Sequence, residues 1–249
     1  GFLVNAQRGA VSHMLLAAYG FMGFLAMGFS YVLVPMFALA PVPSDKWALG
    51  AVLFSCAGLV LGIAGVWIGQ DGWAAAGGAV GLIGAILYLG LMVVALRQRM
   101  RKRLGPAFML MGLSWALLPL SLLAGIAWAL DLLPPWGAGM FGLLLFGWLL
   151  GFLLAILQRI VPFLASMHAA IAVRRRPPTV TALTAPGPLA AHLYCHCAAL
   201  ILLSAGIIWP LPNLVSLGAL VGFLGAVSFA WFFLLAVMKY RAAVATPSA

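Results

Sequence analysis

Seven long apolar stretches constrain the fold of this chain more than any other feature of its sequence. A helix needs about 20 apolar residues to cross the hydrocarbon core of a bilayer, which is about 30 Å thick. Only helices and closed barrels satisfy their backbone hydrogen bonds in lipid. We therefore predict an all-α transmembrane helix bundle of about seven spans, forming a single domain over residues 1–249. The predicted helices are about 12–38, 47–69, 73–96, 106–130, 137–158, 189–209 and 214–238.

The composition supports a membrane location. Hydrophobic residues make up 66% of the chain and charged residues only 6%, whereas about a quarter of a soluble domain is charged. We expect a multi-pass protein of a bacterial-type inner (cytoplasmic) membrane, with the lipid bilayer as its main partner. The chain has no Glu and only Asp45, Asp71 and Asp131. Paired-carboxylate catalysis and carboxylate-rich metal cages are therefore excluded within it, and we assign no catalytic residue.

The cationic residues predict how the bundle is oriented. The formal net charge is +10, which in a soluble protein would suggest nucleic acid as a partner. Here the charges are grouped at helix ends, so we expect no nucleic acid. Three clusters, at 97–103, 174–176 and 239–241, fall on one side of a seven-span bundle. The positive-inside rule makes that side cytoplasmic. The N-terminus is then outside and the C-terminus is cytoplasmic.

The stretch from Trp136 to Val173 is too long for a single span at 1.5 Å per residue. Arg159 and Pro162 suggest that the span ends near Gln158, because proline removes a backbone donor and disfavours a continuous helix. We therefore expect 160–173 to be a kinked or interfacial extension on the cytoplasmic side. That places His168 near the cytoplasmic boundary, close in depth to the start of the sixth span.

The sixth span carries the densest group of metal-binding residue types. His192, Cys195 and His196 share one helical face, because residues three and four apart are neighbours on a helix. Polar side chains inside a bilayer are costly and usually face the bundle interior. Imidazole and thiolate at this spacing suit zinc, copper or haem iron, with His168 as a further candidate ligand. The alternative is that both histidines hydrogen-bond to backbone carbonyls or to neighbouring helices, and that the cysteines are small packing residues.

His13 opens the first span and is followed at helical spacing by Ala17 and Gly20. Small residues one and two turns along from a histidine leave room for a flat macrocycle, so His13 is a candidate haem ligand. The alternative is a histidine at the helix end that contacts headgroups and water. With the predicted topology His13 enters from outside and His196 from inside. The two cannot therefore ligate the same iron.

The stretch SHMLLAAYGFMGFLAMGFSYVLVPMF (12–37) resembles the haem-ligating helix of the haem–copper oxidase superfamily. It is most similar to the nitric oxide reductase large subunit and to NnrS-like haem and copper membrane proteins. The resemblance implies that His13 is an axial ligand of a haem b. The spacing of His192 and His196 on the sixth span separately nominates both as haem or metal ligands. The chain lacks the adjacent His pair of the oxidases and has only four histidines. No complete oxidase or reductase site is therefore expected, and whether the chain is an enzyme stays open.

Three functions remain open at this stage. The first is a membrane protein that binds haem, copper or both and is linked to respiration or the nitric oxide response. The second is a small-solute transporter or permease, favoured by many glycines, few intramembrane charges and prolines at 35, 119 and 162. The third is a non-catalytic subunit or assembly factor of a respiratory complex. Its partners would be other subunits of that complex or further copies of the chain.

Overall fold

The computed structural model describes residues 2–102, 104–172 and 178–245, and within these ranges it has no strand. Seven helical spans in the described residues are long and apolar enough to cross a membrane. The predicted all-α architecture of about seven spans is confirmed, and the protein is an integral, multi-pass membrane protein. The helices are α1 (Phe2–Leu15), a π segment (Leu16–Met22), α2 (Gly23–Ala38), α3 (Asp45–Ile68), α4 (Asp71–Arg97), α5 (Pro106–Ala129), α6 (Gly137–Ala172), α7 (Val180–Leu183), α8 (Pro186–Ile208) and α9 (Pro212–Ala245).

Several helices extend further than the apolar stretches suggest. The first helix begins at Phe2 rather than near residue 12, and α9 continues to Ala245. Pro162 lies inside α6, which runs on to Ala172 instead of ending near Gln158. The expected extension at 160–172 is therefore a direct continuation of the fifth span. Val173 and the arginines at 174–176 lie outside the described residues.

The chain divides into two compact units. Unit 1 comprises Gly1–Leu104 and Gly112–Phe152, and unit 2 comprises Gly105–Met111 and Leu153–Ala249. Both α5 and α6 therefore contribute residues to each unit. The histidine-bearing helix α8 belongs to unit 2.

In unit 1, α3 and α4 pack with their backbones in close contact. A Cβ added to Gly65 would lie 2.8 Å from the Cα of Ala74, and one added to Gly58 would lie 2.7 Å from the Cα of Gly81. Such distances are far below ordinary van der Waals contact, so only glycine fits at these positions. The α3 helix ends at Gly69, whose φ of 74° suits a residue without Cβ. The short turn to α4 follows directly.

A buried hydrogen-bond chain joins α5, α4 and α2 of unit 1. Trp115 Nε1 donates to Tyr88 Oη over 2.9 Å, and Tyr88 Oη lies 2.7 Å from Ser30 Oγ. Ser30 Oγ is also 2.7 Å from the carbonyl oxygen of Ala26. Since a carbonyl only accepts, Ser30 donates to it and Tyr88 donates to Ser30. Each buried hydroxyl is thus satisfied, as low-dielectric surroundings require.

The first span contains a π segment. Residues Leu16–Met22 have π-helical hydrogen bonding between α1 and α2. Such segments are wider than an α-helix and often occur at functional sites. Tyr19 lies in the segment, and its hydroxyl donates to Ser121 Oγ over 2.8 Å.

In unit 2, α8 and α9 form an antiparallel pair that also packs through glycines. A Cβ added to Gly225 would lie 3.0 Å from the Cβ of Cys195, and one on Gly206 would lie 2.9 Å from the backbone nitrogen of Val215. At the other end of the pair, Leu189 and Phe232 are buried against each other with Ala185. The close approach of α9 sets the surroundings of the histidines on α8.

Candidate functional site

His192 is buried in unit 2, with 2% of its surface exposed. Its Nδ1 lies 3.0 Å from the carbonyl oxygen of Gly225 on α9. Because a carbonyl only accepts, Nδ1 carries the proton and Nε2 keeps a free lone pair. No described residue donates to that buried Nε2. Histidines that bind metals commonly have this arrangement, in which one ring nitrogen is held by a carbonyl and the other is left to the metal.

His196 lies one helical turn further along α8. Its Nε2 is also buried without a hydrogen-bond partner among the described residues. The ring centroids of His192 and His196 are 5.8 Å apart, and the planes are tilted by 43°. On the α9 side, the ring of Phe229 lies 5.4 Å from that of His192. The two imidazoles therefore lie side by side, each with a buried Nε2 that has no hydrogen-bond partner among the described residues.

Cys195 occupies the same helical face, but it does not form a three-residue metal-binding group with the two histidines. Its Cβ packs at Gly225 on α9, and it is a free thiol, as are Cys56 and Cys197. In the described part of the chain, no group of three or more His, Cys, Asp or Glu side chains is placed to hold a metal ion. The contact that the structure shows on this face is the one between the imidazoles of His192 and His196.

His168 and His13 are the other two predicted ligand histidines. His168 is exposed on α6, and its Nδ1 donates to the carbonyl of Leu164 over 2.8 Å, one turn back in its own helix. His13 is exposed in the last turn of α1, immediately before the π segment. Neither histidine belongs to a three-residue metal-binding group among the described residues.

The geometry of the histidine pair does not fit the ligation of one haem by both imidazoles. Bis-histidine haem ligation needs imidazoles on opposite faces of the macrocycle, whereas His192 and His196 project from the same face of one helix. On the α9 side, Gly225 and Phe229 pack directly against His192. A single metal ion needs far less room. We therefore derive no haem chemistry at this position.

Unit 1 contains a second candidate site that the sequence analysis did not identify. A cavity of about 640 Å³ lies among the first span, α3, α4, α5 and α6. Glycines of α3 and α4 form part of its wall, and aromatic side chains form another part. Arg8, Asp71 and Asp131 line it as well. The small-residue spacing of Gly58 and Gly62 is the only sequence signal, and it predicts close helix packing rather than a void.

Two aromatic pairs shape the cavity. Tyr19 stacks on Trp148 with ring centroids 5.6 Å apart, and Trp128 stacks on Phe141 at 5.7 Å. The guanidinium of Arg8 donates to the carbonyl of Trp67 over 3.0 Å. His13 is not among the residues that line the cavity.

No protein-family model, curated protein or solved structure matches this chain. Its function therefore has to be inferred from the chemistry of its own residues.

Proposed function

We propose that this integral membrane protein binds a copper ion inside the membrane, through Nε2 of His192 and Nε2 of His196. The observation that carries the proposal is the pair of buried imidazole nitrogens without hydrogen-bond partners. An unpaired buried polar atom costs about 1–3 kcal/mol, and two on adjacent turns of one helix double that cost. A metal ion bound between them would remove it.

The number of ligands favours copper over zinc. Structural zinc sites in proteins are almost always four-coordinate, and catalytic ones use three protein ligands. The described residues offer two imidazoles and no third His, Cys, Asp or Glu in the same group. Monovalent copper is stable with two nitrogen ligands, and imidazole is among the ligands that suit copper. Its single charge also makes it less costly than a divalent ion in a membrane interior.

The protein framework favours a metal over a chance cluster of histidines. Gly225 lacks a side chain, so its carbonyl can approach His192 Nδ1 and fix the tautomer that leaves Nε2 available. The resemblance of residues 12–37 to nitric oxide reductase supplies the physiological setting that we propose, which is respiration or the nitric oxide response. That setting depends on the first span alone, whereas copper binding depends on α8 and α9.

The test is copper binding by the purified protein in detergent. Under anaerobic, reducing conditions we expect one Cu(I) per chain, with X-ray absorption showing nitrogen ligands at short distance. His196→Leu and His192→Leu should each abolish stoichiometric binding. His168→Leu is the matched control, because His168 is exposed and hydrogen-bonded within its own helix.

Two outcomes would contradict the proposal: a wild-type protein that retains no copper, or a His168→Leu variant that loses as much copper as His196→Leu. In either case the histidine pair would be structural. The chain would then better fit a non-catalytic subunit of a membrane complex.

A further inference from the structure

The cavity of unit 1 has the size of a small-molecule site. Its volume of about 640 Å³ lies within the range of roughly 300–1,000 Å³ typical of ligand pockets. The residues that line it belong to the first span, to the helices from α3 to α6 and, at Gly69 and Asp131, to the turns that follow α3 and α5. None of them belongs to the histidine pair. Any function of the cavity is therefore separate from copper binding.

Along α3 and α4 the wall of the cavity consists largely of glycines and apolar residues. Gly62, Gly77 and Gly81 line it, together with other glycines of α3 and α4. These helices touch through backbone atoms at the glycines, and the apolar side chains of Leu59 and Val66 line the cavity beside them. The stacked pairs Tyr19–Trp148 and Trp128–Phe141 form further parts of the wall. This surface suits an apolar body with flat or rounded faces.

The charges that line the cavity are unusual for this chain. The sequence has only three acidic residues against 13 basic ones, yet two of the three acids, Asp71 and Asp131, line this one cavity. Arg8 is the one basic residue in the lining, and it donates to the carbonyl of Trp67. The lining therefore carries a net negative charge in a protein of charge +10.

Local structure explains where each aspartate lies, but not why both line the same cavity. Asp71 is the first residue of α4, where a carboxylate interacts favourably with the helix dipole. Asp131 follows α5 with a φ of 54°, a conformation that aspartate tolerates better than most residues. Among the described residues neither carboxylate forms an ion pair with Arg8 or another cation. Both aspartates are exposed, so each can be reached by a ligand at the mouth of the cavity.

We propose that this cavity binds a lipophilic organic cation. The ligand would have an apolar aromatic or hydrocarbon body and one positively charged ammonium-type centre. Its body would occupy the space beside the glycines and aromatic pairs, and its charge would lie near Asp71 and Asp131. Aromatic faces such as that of Trp128 add to the attraction, because ring quadrupoles favour cations. An anionic ligand of equal shape would be repelled by the same lining.

The test uses two ions of the same shape and opposite charge. Tetraphenylphosphonium and tetraphenylborate are each titrated into the purified protein in nanodiscs of uncharged zwitterionic lipid, with empty nanodiscs as the blank. We expect saturable binding of the phosphonium and none of the borate. Asp71→Asn and Asp131→Asn should each weaken phosphonium binding about fivefold, the size expected for a partly exposed charge pair. Asp45→Asn is the matched control, because Asp45 is the one acid outside the cavity lining.

A variant with a larger side chain in the cavity tests the apolar part of the site. A Cβ on Gly81 meets only the side chain of Leu122, at 3.8 Å, so the first side-chain atom of Gly81→Leu enters without a backbone clash. It should abolish phosphonium binding while copper binding and the melting temperature stay close to wild type. Equal binding of both ions, or equal binding by all four variants, would overturn the proposal. A third result would also overturn it: the wild type binds no phosphonium, and a phospholipid co-purifies with the wild type but not with Gly81→Leu. A lipid chain would then be the occupant of the cavity.

Discussion

Replacement of Gly65 by alanine should destabilise unit 1 by an amount that the structure predicts. The new Cβ would lie 2.8 Å from the Cα of Ala74 and 2.7 Å from the carbonyl carbon of Trp73. Ordinary carbon–carbon contacts are about 3.5–4.0 Å, so α3 and α4 would have to separate by about 1 Å. The neighbouring atoms are backbone and cannot rotate away. Overpacking of this kind costs about 1–3 kcal/mol.

Gly62→Ala provides the matched control on the same helix. Its new Cβ would meet its nearest neighbours, on Ala74 and Gly77, at 3.9 Å, which is an ordinary contact. Both substitutions gain the same helix propensity of about 1 kcal/mol relative to glycine. The difference between the two variants therefore isolates the clash. We expect Gly65→Ala to be less stable than Gly62→Ala by about 2 kcal/mol.

The assay is reversible unfolding in mixed micelles of detergent and sodium dodecyl sulfate, followed by circular dichroism, with thermal melting as a second measurement. A difference of about 2 kcal/mol corresponds to about 4–8 °C in melting temperature for a protein of this size. Equal stability of the two variants would show that α3 and α4 do not pack through Gly65, and would refute the contact described for this pair.

Three further predictions test other parts of the protein. Tyr88→Phe should lower the free energy of unfolding by about 1–3 kcal/mol, because Trp115 Nε1 and Ser30 Oγ both lose a buried partner; Tyr194→Phe, at a tyrosine that is 72% exposed, should change it little. Copper affinity should fall as the pH is lowered, because protons compete for the imidazole lone pairs; an affinity independent of pH from 5 to 8 would argue against histidine ligands. Labelling of Asn5→Cys with a membrane-impermeant maleimide in intact cells should succeed while Ala242→Cys stays unlabelled, as the positive-inside rule predicts; the reverse pattern would invert the topology.

The sequence was sufficient to predict the seven spans, because length and hydropathy decide whether a helix can cross a bilayer. It was less informative about helix ends. Pro162 did not end α6, which continues to Ala172. Polar residues at the N-terminus, such as Arg8, did not prevent α1 from starting at Phe2. A helix needs apolar residues only inside the membrane, so its ends beyond the membrane leave no hydropathy signal.

The candidate sites were predictable only in part. The shared face of His192 and His196 follows from their spacing, but the carbonyl of Gly225 that fixes the His192 tautomer is 33 residues away. That partner depends on how α9 packs. The cavity was missed altogether, because glycine spacing predicts where helices touch and not which space beside them stays empty. Asp71 and Asp131 are 60 residues apart in sequence, and only the fold brings both to one cavity.

The π segment at Leu16–Met22 also determines which insertions and deletions the first helix can accept. A π turn accommodates roughly one residue more than the α-helical turns around it. Loss of one residue there would restore α-helical winding and leave the flanking turns facing nearly as they do now, because the wider π turn already absorbs the rotation of about 100° that one residue adds to an α-helix. Loss of one residue from the α-helical turns between Arg8 and the π segment would instead rotate Arg8 by about 100°, out of the cavity lining. The number of residues between Arg8 and the π segment is therefore as much a determinant of the cavity's charge as the arginine itself.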